Sequence, residues 1–126
     1  MKLLLIFFIA ILIHQSQINA GANELFIKNC ATCHSVQKGD KTLRAGPNLW
    51  GVFGAKAGQV EGYRYSDYLK NSDIVWTREA LQAWLSDRKT RVEYFGKEVK
   101  DTKMMWTGIK KEEDMKTILD YLEKMK

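Results

Sequence analysis

The chain has 126 residues, a length that suits one small domain and is too short for two hydrophobic cores. It carries 20 Lys and Arg against 15 Asp and Glu, for a net charge of +5, with only two cysteines and two histidines. A structural zinc site usually takes four ligands in two separated pairs, so this supply of cysteine and histidine argues against a zinc domain.

The first twenty residues have the pattern of an export signal. Lys2 supplies the positive start, and residues 3–13 are an uninterrupted apolar run. As a helix this run would be about 16 Å long, roughly half of a hydrocarbon core, which is short for a membrane span. We predict a signal peptide over residues 1–20 and one domain over residues 21–126. The alternatives are cleavage after Ala22 and an uncleaved membrane anchor.

The first helix of the exported domain is predicted to begin at Asn23, a good N-cap, and to lead into C-A-T-C-H at residues 30–34. C-x-x-C-H is the spacing at which two thiols attach a c-type haem and the next histidine binds its iron. We therefore predict one covalent haem c at Cys30 and Cys33, with His34 as the proximal ligand. A redox dithiol is the alternative, but thioredoxin-like motifs accompany a βαβ pattern that this sequence lacks.

Export also fixes how many histidines are present. Loss of residues 1–20 would remove Lys2 and His14, and would leave a net charge of about +4. His34 would then be the one histidine of the domain, so two histidine ligands to the iron are excluded within a single subunit.

The segment that follows is predicted to be irregular. Residues 35–63 contain six glycines and the only proline of the chain, which prevent a long helix. A loop of this length is uncommon in a compact domain unless something orders it, and a bound haem would do so. No β alternation is convincing, so we predict an all-α fold.

Three further helices are predicted. A short one spans residues 65–71, and a clearer one spans residues 77–88 with Thr77 as its N-cap. The terminal helix begins in an acidic turn at residue 112 and ends among lysines, which suits the helix dipole at both ends. Its apolar residues recur at helical spacing and should form one buried face: Met115, Ile118, Leu119 and Leu122.

Three separated blocks carry a family resemblance. They are residues 30–34, residues 46–54 (G-P-N-L-W-G-V-F-G) and residues 102–111 (T-K-M-M-W-T-G-I-K-K). In order and spacing they resemble class I c-type cytochromes, the family of mitochondrial cytochrome c and the bacterial cytochromes c2. The resemblance covers nearly all of the exported domain. It implies a single-domain class I cytochrome c fold, in which helices and long loops pack around one covalently bound haem.

The resemblance also implies how the iron is held. The carbonyl of Pro47 would accept a hydrogen bond from Nδ1 of His34, and Met104 would be the distal ligand through its thioether. Met105 is the neighbouring alternative, and register with the family favours Met104. A His/Met pair raises the reduction potential and leaves no open coordination position, which suits electron transfer rather than catalysis.

Further haem-binding positions follow from the same resemblance. Tyr65 and Trp76 match positions that hydrogen-bond a haem propionate, and Thr102 precedes the ligand loop. Phe26 and Tyr121 match a contact between the first and last helices.

The sequence departs from the family pattern near the haem. Ala55 stands where an arginine near a propionate is usual, and Leu69 where an asparagine is usual. Trp84 replaces a tyrosine, and Trp106 replaces a phenylalanine beside the ligand loop. Residues 90–101 form a longer segment than in the mitochondrial proteins and lack proline, as in some bacterial cytochromes c2.

We therefore expect a soluble, monomeric, periplasmic electron carrier and not an enzyme. It would pass single electrons from a membrane-bound quinol–cytochrome c reductase to a terminal oxidase, and its basic face would dock on their acidic surfaces. Nucleic acid is a poor partner for an exported protein. The lysines that bracket the expected haem edge are Lys38, Lys41, Lys103, Lys110 and Lys111.

Two rival functions remain open at the level of sequence. One is a dedicated electron acceptor for a particular periplasmic dehydrogenase. The other is a haem sensor or peroxidase-like enzyme in which Met104 dissociates and opens the iron.

Overall fold

A computed structural model of the chain describes the backbone of residues 2–126 and the side chains of residues 5–12, 20–99 and 102–126. Five α-helices run in the order α1 Lys2–Asn29, α2 Asp67–Lys70, α3 Arg78–Leu85, α4 Arg88–Phe95 and α5 Glu112–Lys124, with a 3-10 turn at Lys97–Asp101 before α5. The described backbone contains no strand, only an isolated antiparallel bridge between Lys56 and Val75. The predicted all-α class is confirmed.

Helix α1 begins far earlier than predicted. It runs unbroken from Lys2 through Asn29, so the prediction that a helix begins at Asn23 is wrong for the full-length chain. Residues 2–22 already form helix, and their carbonyls satisfy the N–H groups that an N-cap would otherwise serve. The Oδ1 of Asn23 instead accepts a hydrogen bond from the Tyr121 hydroxyl at 3.3 Å.

The N-terminal part of α1 projects its apolar side chains into solvent. The described side chains of residues 5–12 are exposed, and so are Ala20 and Gly21 on either side of the predicted cleavage point. Lys2 and His14, which that cleavage would remove, lie outside the described side chains. Within the described ranges, no helix combines the length and apolar character needed to cross a membrane.

The first and last helices pack against each other. The rings of Phe26 and Tyr121 lie 5.3 Å apart between centroids, so the predicted contact between α1 and α5 is confirmed. Ile118 and Leu119 on α5 are the largest side chains that are almost wholly buried. The predicted apolar face of α5 is buried along its whole length, at Met115, Ile118, Leu119 and Leu122.

The middle helices are shorter than predicted because capping residues interrupt them. Ser66 caps α2 and limits it to Asp67–Lys70. Thr77 caps α3 as predicted, accepting from the Ala80 N–H at 3.2 Å, but the helix ends at Leu85 and not at residue 88. Ser86 is extended, and a second helix, α4, begins after it. The predicted helix over residues 77–88 therefore ends three residues early, and α4, capped by Asp87, is a helix that was not predicted.

The segment between α1 and α2 contains no helix, as predicted. Backbone hydrogen bonds join it to residues 74–76, which lead into α3. The N–H of Gly54 donates to the Trp76 carbonyl, that of Trp76 to the Ala55 carbonyl, and that of Ala57 to the Ile74 carbonyl, at 2.8 to 2.9 Å. These bonds hold the loop against the core and position it as one wall of a large cleft.

Candidate functional site

A cleft with a volume of about 410 Å³ lies between the end of α1, the long loop, α3, the segment before α5, and α5 itself. This volume falls in the range of small-molecule and cofactor sites. Seven of the eight predicted site residues line it, namely Cys30, Cys33, His34, Pro47, Tyr65, Trp76 and Met104. A more open notch of about 290 Å³ lies against Tyr68 and Phe95, and none of the predicted residues lines that notch.

The end of α1 delivers the two thiols and the imidazole together. The N–H of His34 donates to the Cys30 carbonyl at 2.9 Å, and the N–H of Cys33 donates to the same carbonyl at 3.1 Å. Cys30 is partly buried and Cys33 is exposed, and the two are not joined in a disulfide. Burial, with a smaller effect of Cys33, raises the pKa of the Cys30 thiol to about 11. One turn therefore presents two cysteine sulfurs at the cleft beside a single imidazole.

The ring of His34 is held in one orientation. Its Nδ1 lies 2.7 Å from the carbonyl oxygen of Pro47. Because a carbonyl can only accept, the proton is on Nδ1 and the lone pair is on Nε2, the form that binds a metal. Burial lowers the pKa of His34, and the hydrogen bond to Pro47 opposes that shift only in part. The neutral imidazole is thus favoured at physiological pH.

Gly46 is required beside this ring. A Cβ built on Gly46 would lie 2.6 Å from Nδ1 and 2.7 Å from Nε2 of His34, well inside van der Waals contact. The N–H of Gly46 also donates to the Cys33 carbonyl at 2.8 Å. Gly46 therefore leaves space for the His34 ring, and Pro47 supplies the carbonyl that orients it.

The segment before α5 brings a thioether to the cleft. Met104 packs against the hydrophobic core, whereas Met105 is 98% exposed. The indole Nε1 of Trp84, on α3, donates to the Sδ of Met104 at 3.1 Å. Both methionines line the cleft, but Met104 is the more buried of the two. Ligation by Met104 stays a prediction. Sequence reasoning noted Trp84 as a departure but missed its contact with the sulfur, which only the packing of α3 reveals.

The remaining wall is mostly apolar and aromatic. Tyr65 lies in the cleft and its hydroxyl oxygen accepts from the Val60 N–H at 3.2 Å. Trp76 is buried edge-on against Trp84, with 5.2 Å between ring centroids. Ala55 and Leu69, the two predicted departures from the family pattern, also line the cleft.

Thr102 is the predicted site residue that the structure does not bring into the cleft. It follows the 3-10 turn, and its N–H donates to the Val99 carbonyl at 3.3 Å. Its role in binding the haem stays a prediction.

The chemistry of this donor set fits a covalently attached haem. Two thiols on one turn can form two thioether bonds, a neutral imidazole offers Nε2 to iron, and an apolar wall suits a porphyrin. The family model described as Cytochrome c matches residues 20–126. The chain belongs to the cytochrome c family.

Individual relatives agree with this family. The chain is 35% identical over 105 residues to "Cytochrome c2" of Blastochloris viridis, covering 83% of this chain and 76% of the relative. It is 40% identical over 106 residues to "Cytochrome c" of Gibberella zeae, covering 84% of this chain and 92% of the relative. A third relative, "Cytochrome c" of Theileria annulata, is 39% identical over 104 residues, covering 82% and 83%.

The chain is thus a class I c-type cytochrome with one covalent haem c, and Cys30 and Cys33 fit the attachment motif. Both bacterial cytochromes c2 and eukaryotic cytochromes c are among its relatives. As a cytochrome c it is an electron carrier, as the sequence predicts.

Proposed function

We propose that this cytochrome c is a soluble periplasmic carrier of single electrons, with haem bonded to Cys30 and Cys33 and its iron held by His34 and Met104. The observation that carries the proposal is the presence in one cleft of a neutral imidazole and a core-packed thioether. When bound, the haem supplies an iron that changes oxidation state by one electron.

Hydrogen bonds within the chain orient the two side chains that are proposed to bind the iron. The Pro47 carbonyl holds the proton of His34 at Nδ1 and so fixes the direction of Nε2. The Trp84 N–H holds the Met104 sulfur at 3.1 Å. With His34 and Met104 both bound to the iron, a substrate would have no coordination position to occupy. This supports a carrier over a haem sensor or peroxidase-like enzyme.

Exposed lysines support docking on acidic redox partners. All five lysines that bracket the cleft segments are exposed, and Lys103 also lines the cleft. A positive face of this kind speeds encounter with a negatively charged partner and weakens with salt. We propose a membrane-bound quinol–cytochrome c reductase as donor and a terminal oxidase as acceptor, in a periplasm reached through the signal peptide of residues 1–20.

The direct test compares Met104→Ala with Met105→Ala in the haem-loaded protein. The oxidised wild type should show the weak far-red iron–sulfur band, which Met104→Ala should abolish and Met105→Ala should retain. The reduced wild type should bind carbon monoxide slowly at neutral pH, and Met104→Ala should bind it rapidly. A far-red band that survives in Met104→Ala, or rapid carbon monoxide binding by the wild type, would contradict the proposed ligation and closed site.

A further inference from the structure

Arg91 is a buried cation in a protein whose other described arginines are more exposed. It lies on α4 and is 8% exposed. None of the ion pairs between described side chains involves it. Burial lowers the pKa of its guanidinium, while Asp87 partly opposes that shift. A charge is costly to bury unless hydrogen bonds compensate, so the acceptor that the guanidinium finds among the described residues is informative.

The acceptor of the Arg91 hydrogen bond lies in the loop that carries Met104. The guanidinium of Arg91 donates to the backbone carbonyl of Trp106 at 2.7 Å. Trp106 is two residues beyond Met104 in the segment that we call the methionine loop, residues 102–109. A hydrogen bond from an ionised donor at this distance is of the strong, charge-assisted kind.

The same part of the loop is held from a second side by the end of α3. The Nε1 of Trp106 donates to the Leu85 carbonyl at 3.1 Å, and the N–H of Ile109 donates to the same carbonyl at 2.8 Å. Gly108 has φ +99°, and a Cβ there would lie 2.7 Å from the backbone N of Asp87. The methionine loop therefore rests directly on the junction between α3 and α4.

Helix α4 is a firm support for such a contact. The ring of Phe95 packs edge-on against Trp84, at 5.6 Å between centroids, and the Phe95 carbonyl accepts from the Tyr68 hydroxyl at 3.0 Å. Asp87 caps the helix by accepting from the Thr90 N–H at 2.8 Å. Arg91 thus projects from a helix that is capped at its start and packed into the aromatic core at its end.

We propose that Arg91 is a positioning residue, which clamps the carbonyl of Trp106 and so holds Met104 in place as the distal ligand. Helix α4 would then hold the methionine loop in place. This inference rests on the proposed ligation by Met104. It assigns α4 a role in keeping the sixth coordination position occupied.

The experiment uses the haem-loaded protein in four forms: wild type, Arg91→Lys, Arg91→Met and Arg88→Gln. Arg91→Met removes the donor but keeps a long side chain. Arg91→Lys keeps the positive charge, on a smaller ammonium group. Arg88→Gln is the matched control, because Arg88 lies on the same helix and is exposed. Carbon monoxide can bind the reduced protein only after Met104 leaves the iron, so its binding rate measures how firmly the loop is held.

We expect carbon monoxide to bind Arg91→Met roughly ten- to a hundredfold faster than wild type, the ratio that corresponds to loss of one charge-assisted hydrogen bond. Arg91→Lys should be intermediate and Arg88→Gln unchanged. The far-red band of oxidised Arg91→Met should weaken and also disappear at a lower temperature than that of the control. Binding rates and band intensity equal in Arg91→Met and Arg88→Gln would overturn the clamp.

Hydrogen–deuterium exchange separates this inference from the ligation on which it rests. Backbone amides of residues 104–108 should exchange faster in Arg91→Met, while those of α5 should not. If the wild type lacks the far-red band, the proposed ligation fails, and the exchange data still decide whether Arg91 fastens the loop. If the wild type shows the band but exchange and carbon monoxide binding are unaffected in Arg91→Met, the clamp alone fails. If Arg91→Met does not retain its helices, the exchange and carbon monoxide measurements are made on Arg91→Lys instead.

Discussion

The indole N–H of Trp84 points at the sulfur of Met104, with 3.1 Å between Nε1 and Sδ. Trp84 is 6% exposed and belongs to α3, whereas Met104 belongs to the methionine loop. Tertiary packing therefore gives the proposed ligand a hydrogen-bond donor from another element. In the proposed ligation, this donor would withdraw electron density from the sulfur and so weaken its bond to ferric iron more than its bond to ferrous iron.

Trp84→Phe should lower the reduction potential of the haem. The variant keeps an aromatic ring in the core but removes the donor, so the sulfur becomes a better ligand to ferric iron. A neutral hydrogen bond is worth about 1 kcal/mol, which sets the shift at no more than about 40 mV for one electron. Spectroelectrochemical titration measures it. Tyr68→Phe is the control, because the Tyr68 hydroxyl donates to Phe95 and not to the sulfur. A potential that rises in Trp84→Phe would contradict this account.

Gly46→Ala should loosen the proximal side of the haem site. The added methyl group would occupy space that the His34 ring now fills, so the ring must move away from the Pro47 carbonyl. Overpacking of this kind costs about 1–3 kcal/mol in the free energy of unfolding. Guanidinium unfolding of the haem-loaded protein gives the loss, and Ala45→Ser, at the exposed neighbouring side chain, should be close to neutral. Equal stability of the two variants would show that the ring accommodates a Cβ.

Much of the fold and site could be predicted because it is local or repeats with helical spacing. The acidic start and apolar face of α5 predicted a helix that the structure confirms, and Thr77 predicted the start of α3. The C-x-x-C-H and G-P motifs likewise predicted two parts of the cleft that do meet, through the bond from His34 to Pro47.

The remaining features depend on neighbouring segments or on the packing of distant elements. Asn23 is an adequate N-cap in isolation, but the preceding residues extend the helix through it. Asp87 four residues before Arg91 and Gly96 after Phe95 are signals for α4 that could have been read from the sequence. The burial of Arg91 and the contact of Trp84 with Met104 could not, since each depends on how two distant elements pack.

The pairing of α3 with α5 should weaken in acid. The Asp120 carboxylate accepts from Lys116 and from Arg78, both at 2.6 Å, and the Lys116 hydrogen bond is the main reason that the pKa of Asp120 is lowered. Because the folded pKa is lowered, the stabilisation is complete above the unfolded value near pH 4 and is lost as pH falls below it.

Asp120→Asn should therefore reduce stability at pH 7 and have little effect at about pH 2. For partly exposed pairs the loss at pH 7 should be about 0.2–1 kcal/mol. Thermal unfolding from pH 7 to pH 2 measures it, with Asp73→Asn as the control, because the side chain of Asp73 is 99% exposed beside Lys56. A loss in Asp120→Asn that is the same at both pH values would contradict the electrostatic explanation.

Export should shorten α1. We predict that the protein recovered from a periplasmic fraction begins at Gly21, which removes the exposed apolar side chains of residues 5–12. Asn23 would then lie near the new N-terminus, where its Oδ1, which here accepts from the Tyr121 hydroxyl, could serve as an N-cap instead. Intact-mass measurement determines the first residue. Ala20→Leu should impair cleavage and leave the chain in the membrane fraction, whereas recovery of uncleaved wild type would establish an anchor.

Electron transfer with a purified reductase or oxidase should slow as ionic strength rises, because the exposed lysines attract an acidic partner through a screened field. Lys110→Gln combined with Lys111→Gln should lower the second-order rate constant several-fold at low salt and flatten its salt dependence. Lys116→Gln is the matched control, since its Nζ lies 2.6 Å from Asp120 and its charge is already offset. Stopped-flow kinetics across a salt series measures all three proteins. A wild-type rate that stays constant with salt, or an equal loss in the control, would remove the lysine face from the docking mechanism.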